Sequence, residues 1–324
     1  LEALIKTNME SMSGYGNDPY TKSAAEKICA VCGGGVDVRF LVGGTQTNST
    51  VISAILRNYE GVISADTGHI NGHESGAVEY TGHKVLALPN VDGKLVAADV
   101  KKYVEDFYAN PTHEHVVWPG MVYISHPTEG GTLYTKAELE ALRAVCDEYK
   151  LPLFLDGARL GYGLVADGTD VTLELIAKLC DVFYIGGTKV GAFCGEAVVC
   201  KKHGYLPHFF STIKQHGALL AKGRLLGIQF DTLFTDGLYF KIARHAVDMA
   251  MKLKKGFTDK GYEFYMDSAT NQQFIILDDA QLTRLSEVAV FEIWEKLSDG
   301  RTVVRFCTSW ATLEEDVDAL LEMI

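Results

Sequence analysis

The sequence predicts an α/β protein, with a large, mostly parallel sheet domain over residues 1–235 and a smaller α+β unit over residues 236–324. From Asp37 to Cys200, short β-branched or apolar runs alternate with helix-like stretches, the pattern of parallel strands joined by crossover helices. Past residue 235 the strand-like runs become sparser, as in a separate α+β layer. With 47% hydrophobic residues among 324 and a mean hydropathy of +0.05, the chain has the apolar material for a large core.

In order, the large part reads DVRFLV then TNSTVISAILRN, GVISAD then HESGAVEYTG, and HKVLALP then AADVKKYVEDFY. It continues with MVYIS, the amphipathic TKAELEALRAVCDEYK, LPLFLD, LELIAKLC, VFYIGG and EAVVCK. Strands this apolar are buried on both sides, so helices are expected on both faces of the sheet. Helical patterns follow around Tyr205 to Gln215 and from Leu238 to Lys260. The smaller unit reads as strands YEFYM, QQFIIL and TVVRFC, alternating with the helix-like LSEVAVFEIWEKL and the closing helix TLEEDVDALLEMI. No repeat, low-complexity tract or Pro-rich linker interrupts the chain, so the two parts are expected to pack closely.

The 42 acidic and 30 basic residues give a formal charge of −12, which disfavours a nucleic acid or an anionic membrane surface as partner. Anionic ligands must then be met locally, by backbone donors or a few placed arginines. No apolar run reaches the ~18 residues of a membrane helix and no leader pattern opens the chain, so the cytoplasm is the expected compartment. Seven scattered cysteines, several inside apolar runs, fit a reducing environment. Cys29 and Cys32 form a CAVC spacing without a second pair, which favours a helix-end core position over a metal or redox site. The chain opens at Leu1 already inside the amphipathic pattern LEALIKTNMESM, which points to a preceding segment.

Three segments carry chemistry. In LPLFLDGARLGYGL an apolar strand runs into a turn at Asp156, where open α/β sheets hold their ligands. Alone, Asp156 reads equally well as a turn cap. In CDVFYIGGTKVGAFCG another apolar run ends at Gly-Gly-Thr-Lys, which sets Lys189 among small residues with room for a flat ligand. A lone lysine is usually a solvated surface group. The pairing changes this: Asp156 and Lys189 each close a buried strand on one edge of one sheet.

These two groups meet the needs of pyridoxal phosphate. A lysine forms a Schiff base with the aldehyde, and a carboxylate keeps the pyridine nitrogen protonated so that the ring accepts electrons. The phosphate needs a cradle, and FLVGGTQTN runs from a strand through Gly43 and Gly44 into a helix whose first N–H groups, at Gly44, Thr45 and Gln46, favour an anion. The string lacks the G-x-G-x-x-G fingerprint and a Walker lysine, which argues against a nucleotide.

Together DGARLGYG, GGTK, FLVGGTQTN, DTGHINGHESGA and VRFCTSWATLEEDVDAL resemble, in order and over essentially the whole chain, the low-specificity threonine aldolases. These lie in the β-eliminating lyase branch of fold-type-I pyridoxal-phosphate enzymes. The resemblance implies an aminotransferase-like fold with a seven-stranded large sheet, a homodimer or homotetramer, and no metal. It implies that His69 stacks on the cofactor ring with Glu74 orienting it, and that His73 is peripheral. It aligns His126 with a histidine that meets the substrate hydroxyl, although Pro127, Thr128 and Glu129 depart from the family's continuation. Arg159 and Arg305 take the places of arginines on the substrate carboxylate, Arg159 also lying near the cofactor. A family serine on that carboxylate would precede Leu1. Tyr15, Asp18 and Tyr20, and the stretch Lys214 to Lys222, fall where this fold often reaches a partner subunit.

The activity so implied is reversible cleavage of a β-hydroxy-α-amino acid, such as threonine, allo-threonine or phenylserine, to glycine and an aldehyde. His69 or His126 would remove the hydroxyl proton. The competing expectations are β-elimination or transamination on the same cofactor, and a non-catalytic binding protein of the same fold. The aldehyde side chain and the stereochemical preference are set by pocket shape.

Overall fold

The computed structural model describes residues 1–324. Seven strands form the large sheet: β1 (Asp37–Leu41), β2 (Glu60–Ala65), β3 (Val85–Leu88), β4 (Trp118–Ser125), β5 (Leu153–Asp156), β6 (Val182–Gly186) and β7 (Glu196–Cys200). Their order is β1-β7-β6-β5-β4-β2-β3. Pairs among β2 to β6 are parallel, whereas β7 runs antiparallel to both β1 and β6. Ser125 pairs with Asp156, and Glu196 pairs with both Gly186 and Leu41, so the carboxyl ends of β1, β4, β5 and β6 lie along one edge.

Alternation along the strands divides the core in two. Val122, Ile124, Leu153, Leu155, Phe183 and Ile185 face one side, against Leu139, Leu142, Ile176, Phe230 and Tyr239. Tyr123, Phe154, Val182 and Tyr184 face the other, against Val51 and Ile52 of the helix Gly44–Ile55. Each fully buried side chain of this size contributes about 1.5–3 kcal/mol of burial free energy, so a strand slipped by one residue would exchange both cores at prohibitive cost.

The second sheet is antiparallel throughout, in the order β10-β11-β9-β8, built from β8 (Glu263–Phe264), β9 (Gln272–Leu277), β10 (Glu292–Lys296) and β11 (Thr302–Cys307). The helix Leu238–Asp259 serves both layers. Its first half puts Tyr239, Ala243 and Val247 into the large core, and its second half packs Met249, Leu253 and Phe257 on Ile275, Leu277, Val304 and Phe306.

Two local expectations change. LSEVAVFEIWEKL is not one helix. A capping box between Asp278 and Gln281 starts a helix that stops at Val288, and Glu292–Lys296 instead pairs with β11 as an edge strand. Apolar and charged residues mix in both halves; the sheet edge offered by β11 decides the second, and its charged side chains suit an exposed edge. HESGAVEYTG is helical for a single turn only, Ala77–Tyr80, and is cut off from the turn His69–Gly72 before it because Ser75 and Gly76 take left-handed backbone (φ 52° and 74°). The CAVC pair sits at the end of the helix Pro19–Val31, with Cys32 buried.

Candidate active site

Asp156, the last residue of β5, is buried and accepts four hydrogen bonds. Oδ2 receives the Tyr123 hydroxyl (2.6 Å) and the Asn48 amide (2.9 Å), and Oδ1 receives the Ala158 N–H (2.9 Å) and the Tyr184 hydroxyl. The turn-cap reading thus holds for Oδ1, while Oδ2 looks across the sheet edge. Burial alone would raise this carboxyl; the donors from Tyr123, Tyr184, Ala158 and Asn48 outweigh it and hold Asp156 below the ordinary carboxylate range. Burial, with the Asp156 charge added, pushes both tyrosines well up, so they remain donors. Gly157 permits the turn, since a Cβ there would lie 1.9 Å from the Tyr184 carbonyl oxygen.

Asn48 stands one turn into the helix that begins at Gly44, and its amide also donates to Glu74 Oε1 (2.7 Å). The same Glu74 oxygen lies 2.7 Å from His69 Nδ1. His69 is partly exposed on its one-turn helix; burial lowers its pKa, but Glu74, Glu129 and Asp156 together raise it above the ordinary histidine value. His69, Glu74 and Asp156 offer atoms close enough to suggest a cation site, yet the Asn48 N–H group bridges the two carboxylates and suits a hydrogen-bonded network instead.

Lys189 follows β6 in a tight turn. Val190 and Ala192 N–H groups donate to the Gly187 carbonyl, Gly187 and Thr188 donate to Gly195, and the Tyr162 hydroxyl donates to the Lys189 carbonyl. The backbone is therefore fixed while the side chain stays exposed. Crowding by the surrounding protein lowers the Lys189 pKa, Arg159 lowers it further, and Asp156, Glu129 and Glu196 act against them. Beneath the turn, buried Glu196 accepts the Gly187 N–H (3.0 Å), and burial pushes its carboxyl up to about 8.

β1 leads into Gly43 and a helix whose N-terminus carries no side-chain cap. The first helical bond runs from Thr47 N–H to Gly43 O, which leaves the N–H groups of Gly44, Thr45 and Gln46 for an anion. Gln46 Oε1 is buried without a partner. An uncapped helix end, a carboxylate kept ionised and a lysine of lowered pKa on one sheet edge are a donor set that fits pyridoxal phosphate.

Arg159 caps the helix Leu160–Val165, with Nη1 3.8 Å from Glu129 Oε2 and both side chains largely buried. Arg305, on β11, is held by Gln272 Oε1 (3.1 Å), by Glu292, and by the Trp294 ring, whose centre is 5.1 Å from its guanidinium carbon. Trp294 in turn packs beside His73 (6.2 Å) and His73 beside His69 (5.8 Å), so the small sheet reaches the large one.

His126 is not brought to this cluster. It turns to the opposite face of the sheet, where none of its surface is exposed, its Nδ1 accepts the Tyr134 N–H (3.3 Å) and its Nε2 has no partner. Burial pushes its pKa down to about 4. With no exposed surface and no contact to Asp156, His69 or Glu74, His126 does not stand where the expected substrate contact would need it. Asp18 caps the helix Pro19–Val31 through Thr21, Tyr20 donates to Glu10, and Lys214 lies over the Tyr15 ring (4.5 Å), which joins the two stretches expected near a partner. Asn48, Tyr123, Tyr184, Glu196 and Gln272 join the site without having stood out in the sequence. Asn48 was in plain sight, four residues past Gly44 on the same helical face.

The sheet order and the acid and lysine on one edge define the aminotransferase-like architecture of fold type I. Thermus thermophilus aspartate aminotransferase shares it at a TM-score of 0.68 and 19% identity, with 99% of this chain and 90% of that one covered. Residues 1–280 match the model of the β-eliminating lyase family, and the chain belongs to that family. Within it, the chain is 30% identical to the low specificity L-threonine aldolase of a Pseudomonas species, over 98% of this chain and 91% of that one. The solved threonine aldolase of Leishmania major is similar at 44% identity and a TM-score of 0.95, with 99% and 93% covered.

Proposed function

We propose that the protein is a pyridoxal-phosphate-dependent aldolase that cleaves threonine, allo-threonine or related β-hydroxy-α-amino acids to glycine and an aldehyde. The observation that carries this reading is Asp156 and Lys189 on one sheet edge, facing an uncapped helix N-terminus, in a chain 44% identical to a threonine aldolase. When bound, pyridoxal phosphate supplies an electron sink for charge left at Cα.

The N–H groups of Gly44, Thr45 and Gln46 hold the phosphate. Asp156 would face the ring nitrogen and keep it protonated, with Asn48, which also donates to Glu74, the donor best able to give way. His69, oriented by Glu74, would lie against the cofactor ring. Lys189 holds the cofactor and, once released, carries a proton at Nζ to and from Cα. Arg159 and Arg305 fix the carboxylate and so decide which bond at Cα breaks. The exposed Glu292 gives way to it at Arg305, since a surface ion pair is worth only about 0–1 kcal/mol.

We also place the division between two units at residues 235 and 236, just before the helix shared by both cores. A homodimer or homotetramer is the assembly implied, and Tyr80, 94% exposed on the groove it shares with Thr45 and Gln46, gives it an apolar contact. A cytoplasmic setting fits the seven free cysteines; no helix is long and apolar enough to cross a membrane. Incubating the cofactor-loaded enzyme with threonine and with phenylserine tests the activity. Glycine with acetaldehyde or benzaldehyde is expected, and ammonia with a keto acid would replace this reading by elimination.

A further inference from the structure

We propose that Glu129 is the catalytic residue that accepts the proton of the substrate β-hydroxyl, an inference that rests on the retro-aldol reading above. The other carboxylates of the candidate site are engaged: Asp156 accepts four hydrogen bonds, Glu74 holds Asn48 and His69, Glu196 holds Gly187, and Glu292 holds Arg305, while the unpartnered Asp92 nearby is exposed to water. The Glu129 carboxylate accepts none. It lies 3.8 Å from Arg159 Nη1, its side chain is 12% exposed, and its charge bears on both His69 and Lys189. It also lines an opening of about 750 Å³ between the two units, with Asn90, Lys94 and Trp294, which adjoins the site without including Asp156, Lys189 or His69.

The backbone beneath it is held from both sides. Gln272 Nε2 donates to the Glu129 carbonyl (3.3 Å), Ser268 donates to the Gly131 carbonyl (3.3 Å), and Gly131 N–H closes the turn on Thr128 (2.9 Å) at φ +78°. A Cβ on Gly130 would lie 2.1 Å from Met266 Sδ, so the loop is clamped against the small unit. A fixed main chain with an unbonded carboxylate suits a positioned base. Neither histidine offers as much: His126 has no exposed surface, and His69 is already paired with Glu74 through Nδ1.

The step balances. The substrate O–H bond breaks and its proton passes to a Glu129 oxygen, Cβ–O becomes the aldehyde carbonyl, and the Cα–Cβ electron pair stays with the glycine fragment. Lys189 protonates Cα and regains a proton from water, and Glu129 releases the hydroxyl proton to water, so no proton is gained or lost overall.

The test uses the holoenzyme and its Glu129→Gln and Glu129→Asp variants. Three quantities are read: glycine affinity by calorimetry, exchange of the glycine α-proton in heavy water by NMR, and cleavage of threonine and phenylserine. Glycine has no β-hydroxyl, so Glu129→Gln is expected to leave its affinity and exchange within about twofold while cleavage falls ~100-fold or more, with Glu129→Asp in between. Unchanged cleavage overturns the proposal. So does a parallel loss of glycine affinity, which would make Glu129 a support for Arg159. A wild-type enzyme that exchanges glycine protons yet cleaves neither hydroxy amino acid would remove the retro-aldol reading itself, and this role with it.

Discussion

Two histidines stand on opposite faces of the large sheet, and they have become different chemical groups. On the cleft side His69 shares Glu74 with Asn48, keeps some solvent access and has its pKa raised. On the far side His126 is sealed against Tyr134, with a pKa pushed down to about 4. His126 follows directly on β4, where Tyr123 and Ser125 point toward Asp156, and one step along a strand reverses the side chain. The difference teaches that the face reached by a residue, more than its type, decides whether it can meet a substrate.

Substitutions on the two faces should therefore separate. On the cleft side Lys189→Ala has the largest expected effect, a loss of cleavage of about 10³-fold or more together with the cofactor absorbance band; retention of both would break the contrast. Asp156→Asn comes next, with cleavage down roughly 100-fold because an amide no longer stabilises a protonated ring nitrogen, measured as kcat on threonine. Glu74→Gln should cost about tenfold in kcat and lower the His69 pKa, read by NMR titration, since it removes the partner that raises it.

On the far face His126→Asn should leave kcat within about twofold, because no ligand reaches it. Its effect belongs to stability. A histidine whose folded pKa is depressed contributes stability that is present above its unfolded pKa near ~6.5 and lost as pH falls toward the folded value of about 4. Denaturant melts should show the wild type losing ~3 kcal/mol more than His126→Asn between pH 7 and pH 4. Equal pH dependence would show that His126 is free to titrate in the folded protein.

The legible parts were those written in contiguous residues. β5 with Asp156, β6 with Lys189 and the Gly43–Gln46 turn each announce themselves through an apolar run ending in small or charged residues. What escaped depends on distant partners. Tyr123 and Tyr184 look like ordinary core aromatics until register places their hydroxyls on Asp156. Gln272 acquires meaning only through Glu129 and Arg305, 143 and 33 residues away. The strand Glu292–Lys296 needs β11 beside it before its mixed pattern chooses extension over helix. His126 stands one residue past Ser125, and which face of the sheet it takes depends on the register that the motif alone does not give.

Borohydride reduction of the protein loaded with pyridoxal phosphate, followed by peptide mapping, tests the central claim most directly. Stable label on Lys189 alone is the predicted result. Label on another lysine, or none at all with the cofactor washing away, would contradict the placement of the active site on the edge shared by β5 and β6.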